Sequence, residues 1–256
     1  MGAKSKIEWT DATWNPLRGC SRVSEGCRNC YAERQAARFN GEGQPFEGLV
    51  KRIGGESRWT GKVELNEKHL LDPLKWKHFG DIECVGKGKE ARLRIEVRPR
   101  RIFVNSMSDL FHSSVPDEWI DRIFAVMALC PQHTFQVLTK RPERMAAYLG
   151  ISHSGTCLWA GIRQQVEAMG FPDVGAIDKV LPNVWLGVSV ENQAAADERI
   201  ELLLRTPAAL RFVSIEPMLG PINLGWVGCE CDTKDAWDGA IDALRGKTWI
   251  EEWDNA

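Results

Sequence analysis

Short apolar runs recur along the chain, each followed by a stretch with apolar positions at helical spacing. The clearest runs are Ile102-Phe103-Val104, Thr134-Phe135-Gln136-Val137-Leu138, Val184-Trp185-Leu186-Gly187-Val188-Ser189-Val190 and Leu210-Arg211-Phe212-Val213-Ser214-Ile215. All are of strand length and rich in β-branched or aromatic residues, the mark of strands buried on both faces in parallel sheets. A weaker strand is expected at Ile7-Glu8-Trp9. Helices are predicted from just after Asn29 through Phe39, from Asp117 to Leu129 behind Pro116, from Pro142 to Leu149 and from Asn192 to Leu204. Strand then helix, repeated about five times, implies an α/β protein built from right-handed βαβ units. A closed eight-stranded barrel takes about 250 residues with little to spare. Residues 41–100 read instead as an irregular insertion, which leaves too few strands to close one. The expected architecture is one domain over residues 1–256, a partial, open parallel β/α barrel with an irregular C-terminal segment from about residue 228 to 256.

Composition narrows the class. The chain has 256 residues, 43% apolar content and 33 basic against 35 acidic side chains, for a formal charge of −2. That excludes collagenous, disordered and small disulfide-held proteins. A domain of this size buries roughly three quarters of its unfolded surface and needs neither disulfides nor structural metals for its core. No apolar run approaches the ~18 residues of a membrane span, and the first residues lack an apolar signal core. The expectation is a cytoplasmic protein with reduced thiols and no membrane partner. Near-zero net charge argues against bulk polyanion binding. One local exception is Lys87, Lys89, Arg92, Arg94, Arg98, Arg100 and Arg101 against Glu90 and Glu96, which reads as a solvated hairpin or as a phosphate-contacting patch.

Since the core needs no thiol chemistry, clustered cysteines call for another explanation. Cys20, Cys27 and Cys30 form C-x6-C-x2-C on a glycine-flanked loop that enters a helix. Cys27 and Cys30 stand one turn apart, and the glycines let Cys20 fold back toward them. Ordinary buried cysteines fit poorly with a loop that also carries Arg22, Glu25, Arg28 and Asn29. Structural zinc wants four ligands, with Cys229 or Cys231 available as the fourth. A [4Fe-4S] cluster held by three cysteines keeps one iron open, which is what direct binding of a substrate or a chelating cofactor such as S-adenosylmethionine requires.

In α/β sheets and barrels ligands sit at the carboxyl ends of the strands. Each predicted strand ends there in polar groups: Asn105, Ser106, Ser108 and Asp109; Thr139, Lys140 and Arg141; Ser189 and Glu191; and Glu216. If the cysteine loop follows the first strand, all converge on one rim. Asn105, Ser108 and Asp109 suit an amino group or ribose hydroxyls, Lys140 and Arg141 a carboxylate or phosphate, and Glu191 a ribose or an ammonium. The same residues also have local explanations: Thr139 to Pro142 as a helix start, and Glu191 or Asn192 as a cap. Asp117 reads as a helix-start residue, and His112 as a packing histidine or an acid/base near the rim. There is no G-x-G-x-x-G, no G-x-x-x-x-G-K-[ST], no G-x-S-x-G and no H-E-x-x-H, so nucleotide hydrolysis and zinc proteolysis find no support.

Several long segments add a resemblance: Lys6 to Pro16, Gly26 to Glu33, Phe103 to Phe111, Leu138 to Met145, Leu186 to Asn192 and Ser214 to Pro221. Together they resemble the three-cysteine-motif phage protein family of unknown function, found in phages, prophages and bacteria. That family is distantly similar to radical S-adenosylmethionine enzymes, above all the DNA photoproduct lyases, whose final cluster cysteine is also followed by Tyr. The usual spacing in those enzymes is C-x3-C-x2-C, and fuller family members continue with a Gly-Gly-Glu-Ser-Gly strand end and a Trp-Gly segment that this chain lacks. The resemblance implies a radical-enzyme type of partial barrel, truncated at its C-terminal strands. Cys20, Cys27 and Cys30 would ligate a [4Fe-4S] cluster, and Asn105, Ser106, Ser108, Asp109, Thr139, Lys140, Ser189, Glu191 and Glu216 would hold S-adenosylmethionine. The implied substrate is unknown, with nucleic acid weakly favoured. The alternative is a non-catalytic zinc or iron-sulfur module that acts through a protein partner.

Overall fold

The computed structural model describes residues 5, 7–76, 79–85, 92–97, 99–150, 158–172, 180–225, 227, 241–242 and 247–248. In chain order its elements are β1 (Ala12–Trp14), β2 (Leu17–Arg18), α1 (Tyr31–Ala36), β3 (Val50–Ile53), β4 (Glu56–Trp59), β5 (Glu64–Leu65), α2 (Glu67–Leu70), α3 (Asp72–Lys75), β6 (Phe79–Val85) and β7 (Arg92–Val97). There follow β8 (Arg101–Val104), α4 (Asp117–Ala128), β9 (Thr134–Thr139), α5 (Pro142–Leu149), α6 (Leu158–Ala168), β10 (Val184–Ser189), α7 (Gln193–Arg205) and β11 (Leu210–Ser214), and finally the short pair Ile241–Asp242 and Lys247–Thr248.

A five-stranded sheet in the order β1-β8-β9-β10-β11 forms the centre, and every pairing in it is parallel. Each strand lies beside its predecessor in the chain, so right-handed crossovers carry the helices to the same face. That face is apolar. Ile102, Val104, Phe135, Val137, Val184, Leu186 and Val188 pack there with Ile120, Phe124 and Met127 of α4, Met145 of α5, Ile162 of α6 and Ile200 of α7. Alternate residues point the other way, where Trp9 sets its ring 4.8 Å from Phe103 and 6.3 Å from Phe212. Gly187 leaves room for Phe212: a Cβ there would stand 2.6 Å from its ring.

Four of the predicted strands form at the predicted places, and the first does not. Ile7-Glu8-Trp9 is a turn, closed by the Thr10 N–H on the Ile7 carbonyl at 3.2 Å, and the strand begins at Ala12. Trp9 is apolar because its ring packs against the sheet, not because its backbone joins it. A second difference is α6, a helix outside those predicted, with Ile162, Val166 and Met169 at helical spacing toward the core. Its Gly161 stands where α4 passes close by; a Cβ there would lie 2.4 Å from Asp121 Oδ2. The 41–100 segment carries two antiparallel pairs, β3 with β4 and β6 with β7, while β5 pairs with β2 beside the cysteine loop. The basic side chains from Lys87 to Arg98 and the cysteines at 84, 157, 229 and 231 lie outside the described side chains. No described helix is long and apolar enough to cross a membrane.

Candidate functional site

The loop after β2 carries the cysteines and is built to hold one shape. Gly19 has φ +88°, a region L side chains avoid, and a Cβ would stand 2.1 Å from the Lys62 carbonyl oxygen. Cys20 accepts the Gly61 N–H on its carbonyl at 3.2 Å. From Glu25 to Asn29 the chain makes a 3-10 turn, in which the Cys30 N–H reaches the Cys27 carbonyl at 3.3 Å, and α1 starts at Tyr31. Cys27 and Cys30 thus stand one turn apart, as their spacing predicts. Behind the loop, buried Glu33 accepts hydrogen bonds from Arg22 Nε at 3.1 Å and from the Trp59 N–H at 2.5 Å, tying loop, α1 and β4 together.

The loop sits over the carboxyl ends of the strands and closes one side of a cavity of about 680 Å³. Cys20, Cys27 and Cys30 all line it, none in a disulfide. So do Asn105, Ser106, Ser108, Asp109, Thr139, Lys140, Arg141, Ser189 and Glu216, so four strand ends and the cysteines face one space. Glu191 lies just behind this wall. Gly26 separates it from the cavity; a Cβ at Gly26 would stand 3.0 Å from both Lys140 Nζ and Glu191 Cδ.

Hydrogen bonding divides these residues into those already committed and those free. Asp109 accepts from Thr139 Oγ1 (2.7 Å) and the Phe111 N–H (3.0 Å) on one oxygen, and from Arg141 Nη1 (2.8 Å) and the Lys140 N–H (3.2 Å) on the other. Its carboxylate is saturated, and it serves to hold Arg141. Arg141 in turn donates to the Ser21 carbonyl (2.9 Å) and Ser21 Oγ (3.0 Å) and lies 3.8 Å from Cys20 Sγ. His112 completes the clamp: Ser114 N–H donates to its Nδ1 at 3.1 Å and its Nε2 meets Ser21 Oγ at 2.8 Å, so it is a packing histidine. Burial, aided by the Asp109 charge, raises the Cys20 thiol to about 12 despite the nearby guanidinium.

Glu191 is also committed. It receives Lys140 Nζ at 2.8 Å and Arg199 Nη1 at 3.0 Å. Burial would raise its carboxyl, yet hydrogen bonds from Lys140 and Ser24 and the charges of Lys140 and Arg199 hold it at about 2. Thr139, Ser106, Ser108 and Ser189 each donate their hydroxyl within the protein, to Asp109, Asn15 Oδ1, the Leu17 carbonyl and the Glu216 carbonyl. Asn105 is different. At φ +62° and 2% exposed, it accepts the Leu17 N–H on Oδ1 at 3.2 Å and leaves Nδ2 without a partner. A buried donor left unpaired costs about 1–3 kcal/mol.

Glu33 and Arg199 escaped the sequence reading because each acts from behind the wall, and Gly26 because its part is to leave room for Lys140 and Glu191. No group of three His, Cys, Asp or Glu among the described residues is gathered tightly enough for a single metal ion. A four-iron cluster places each thiolate on its own iron, so its ligands stand farther apart than those of a single ion, and the soft sulfurs of Cys20, Cys27 and Cys30, which line one cavity, suit iron by their chemistry.

Fold and site together define an α/β protein with a three-cysteine chamber at the carboxyl ends of a parallel sheet. The chain belongs to the family described as a protein of unknown function (DUF5131), whose model matches residues 4–240. No curated protein and no solved structure matches it.

Proposed function

We propose that this is a cytoplasmic enzyme of the radical S-adenosylmethionine type, resembling the phage family with the three-cysteine motif, with its sheet read as a partial barrel. One observation carries the reading: three free cysteines share a single chamber with the polar ends of four parallel strands. Cys20, Cys27 and Cys30 would hold a [4Fe-4S] cluster, and the exposed Glu216 carboxylate is the strand-end group free to touch S-adenosylmethionine. Bound there and given one electron from an external reductant, the pair would supply reductive cleavage of the cofactor's sulfonium and hydrogen abstraction from a substrate. The chain's own residues do the rest. Arg141, fixed by Asp109, pins the Ser21 backbone beside Cys20 to the strand rim, and the Lys140–Glu191–Arg199 set supports Gly26 and the turn that bears Cys27. The curvature of the sheet supports the barrel reading. Three strand spacings of about 4.8 Å separate β8 from β11 in a flat sheet, yet one indole touches Phe103 and Phe212 on those strands.

The test is anaerobic reconstitution with iron and sulfide, then addition of S-adenosylmethionine and dithionite. The expected result is 5′-deoxyadenosine together with a change in the cluster's EPR signal when the cofactor binds. A colourless protein holding one zinc, or a cluster indifferent to the cofactor, overturns it in favour of the second reading, a non-catalytic module with a protein partner. Exposed Val23, Met218 and Leu219, on the segments that carry the chamber, favour that second reading.

A further inference from the structure

We infer that the outer face of the cysteine loop and α1 is the docking surface for a small acidic electron-transfer protein. The inference rests on the reading above, whose chemistry consumes one electron from outside the chain. Position is the first argument. Cys20, Cys27 and Cys30 line the chamber, whereas Arg28, between the last two, is exposed and lies outside the chamber lining. The turn from Glu25 to Asn29 is thus a single layer of backbone between the thiols and the solvent. Electron transfer weakens steeply with distance, so the outside of this turn is the shortest entry to a cluster held by its cysteines. A partner there also leaves the chamber free for cofactor and substrate. One electron leaves the partner's reduced centre and enters the oxidised cluster; no bond forms or breaks in that step.

Charge selects the partner. From Arg28 to Phe39 the chain exposes Arg28, Arg34 and Arg38 and no acid, because the one carboxylate of the stretch, Glu33, is buried against Arg22. Among the described residues the three guanidiniums have no ion pair, and Arg34 alone makes a hydrogen bond, to the Asn29 carbonyl at 3.4 Å. Glu25 and Glu42 stand beyond the two ends and pair with none of them. Arg34 and Arg38 are four residues apart, so both leave one side of α1 and the 3-10 turn that extends it. Beside them the exposed rings of Tyr31 (50%) and Phe39 (45%) supply apolar contact. Arginine and aromatic rings together are what protein interfaces concentrate. Electron-transfer encounters bury little surface and lean on charge, which three unpaired cations over about 15 Å of chain provide. A nucleic acid would satisfy the same arginines, but to place a nucleotide in the chamber it must pass exposed Glu8 and Glu216 on the chamber wall. An acidic protein seated on the outer face meets neither.

The test uses the full chain and an acidic flavodoxin, with a short single-stranded oligonucleotide as the rival ligand. Arg28 is left in place, since a new charge between two cluster ligands would alter the cluster itself. Calorimetric titration of the reduced, iron-free chain with oxidised flavodoxin should show binding that Arg34→Glu and Arg38→Glu each weaken about five-fold, the upper range for an exposed ion pair, and the double variant about ten-fold or more. On reconstituted protein, reduction of the cluster by reduced flavodoxin should slow by the same factors in stopped flow, and raising the salt to about 0.3 M should erase the difference. Arg163→Glu, exposed on α6, should change neither. Dithionite needs no docking, so with it the double variant should form 5′-deoxyadenosine at the wild-type yield. Binding and reduction rates unchanged in the double variant overturn the inference. So does an oligonucleotide that binds tighter than flavodoxin and is lost in the same variant, which assigns the face to nucleic acid. If dithionite yields no 5′-deoxyadenosine from wild type, the enzyme reading fails, and the calorimetric comparison still decides whether this face takes an acidic protein.

Discussion

Replacing Glu191 by Gln removes one charge from a set of three and leaves two cations beside it. Lys140 and Arg199 approach its carboxylate at 2.8 Å and 3.0 Å, and Arg199 is 4% exposed, so water cannot take the place of the lost anion. Breaking a buried pair from one side costs about 3–5 kcal/mol. Titration gives a second route to the magnitude. Holding a carboxyl at about 2 instead of 4.5 is worth about 3 kcal/mol, and the two figures agree. The sign follows from the direction. A carboxyl depressed in the folded state stabilises fully above pH 4.5 and loses that contribution as the pH falls toward 2. Urea unfolding of wild type and Glu191→Gln should therefore differ by about 3 kcal/mol at pH 7, with the gap narrowing below pH 4.5. A gap under about 1 kcal/mol at pH 7, or one that stays the same between pH 6 and pH 3, would show that the carboxylate does not hold these cations.

Three other outcomes follow from local geometry. Gly19→Ala places a side chain at φ +88° and 2.1 Å from the Lys62 carbonyl, so it should lose about 2–3 kcal/mol in urea unfolding and retain less iron after reconstitution; full iron content with unchanged stability would mean the loop is not held as described. Gly187→Ala drives a methyl to 2.6 Å from the Phe212 ring, costing about 1–3 kcal/mol and shifting tryptophan emission as Trp9 loses its seat; an unchanged spectrum counts against the indole bridge. Burial raises the Asp121 carboxyl above 3.8 despite the Tyr148 hydroxyl that donates to it at 2.6 Å. Asp121→Asn should therefore be more stable than wild type at pH 7, the advantage disappearing below pH 3.8, and a variant less stable at pH 7 in thermal unfolding contradicts that sign.

The sheet was readable because its strands are apolar on both faces, and runs such as Val184 to Val190 have no competing helical pattern. Strand-end polarity was readable for the same reason, since Asn105, Lys140 and Glu216 interrupt apolar runs abruptly. What a linear pattern cannot carry is partnership. Asp109 and Glu191 look like ligand-binding carboxylates in the sequence, and only their distances to Arg141, Lys140 and Arg199 show that internal cations occupy them. Glu33 sits in α1 like a surface residue, yet it is 1% exposed because Arg22 and the Trp59 amide converge on it from elsewhere in the chain. Gly161 on α6 lacks a side chain where Asp121 of α4 comes close, a proximity that only the packing of the two helices shows.

The indole of Trp9 against Phe212 also has a consequence in time. The two belong to opposite ends of the folded sequence, and contacts of such separation form late. During synthesis at about 5–20 residues per second, Phe212 follows Cys30 by roughly ten to forty seconds. Through that interval the thiols have left the ribosome while the last of their chamber has not yet been made. A cluster of the kind proposed, delivered to them during translation, would find an unfinished holder and would have to wait for the last strand.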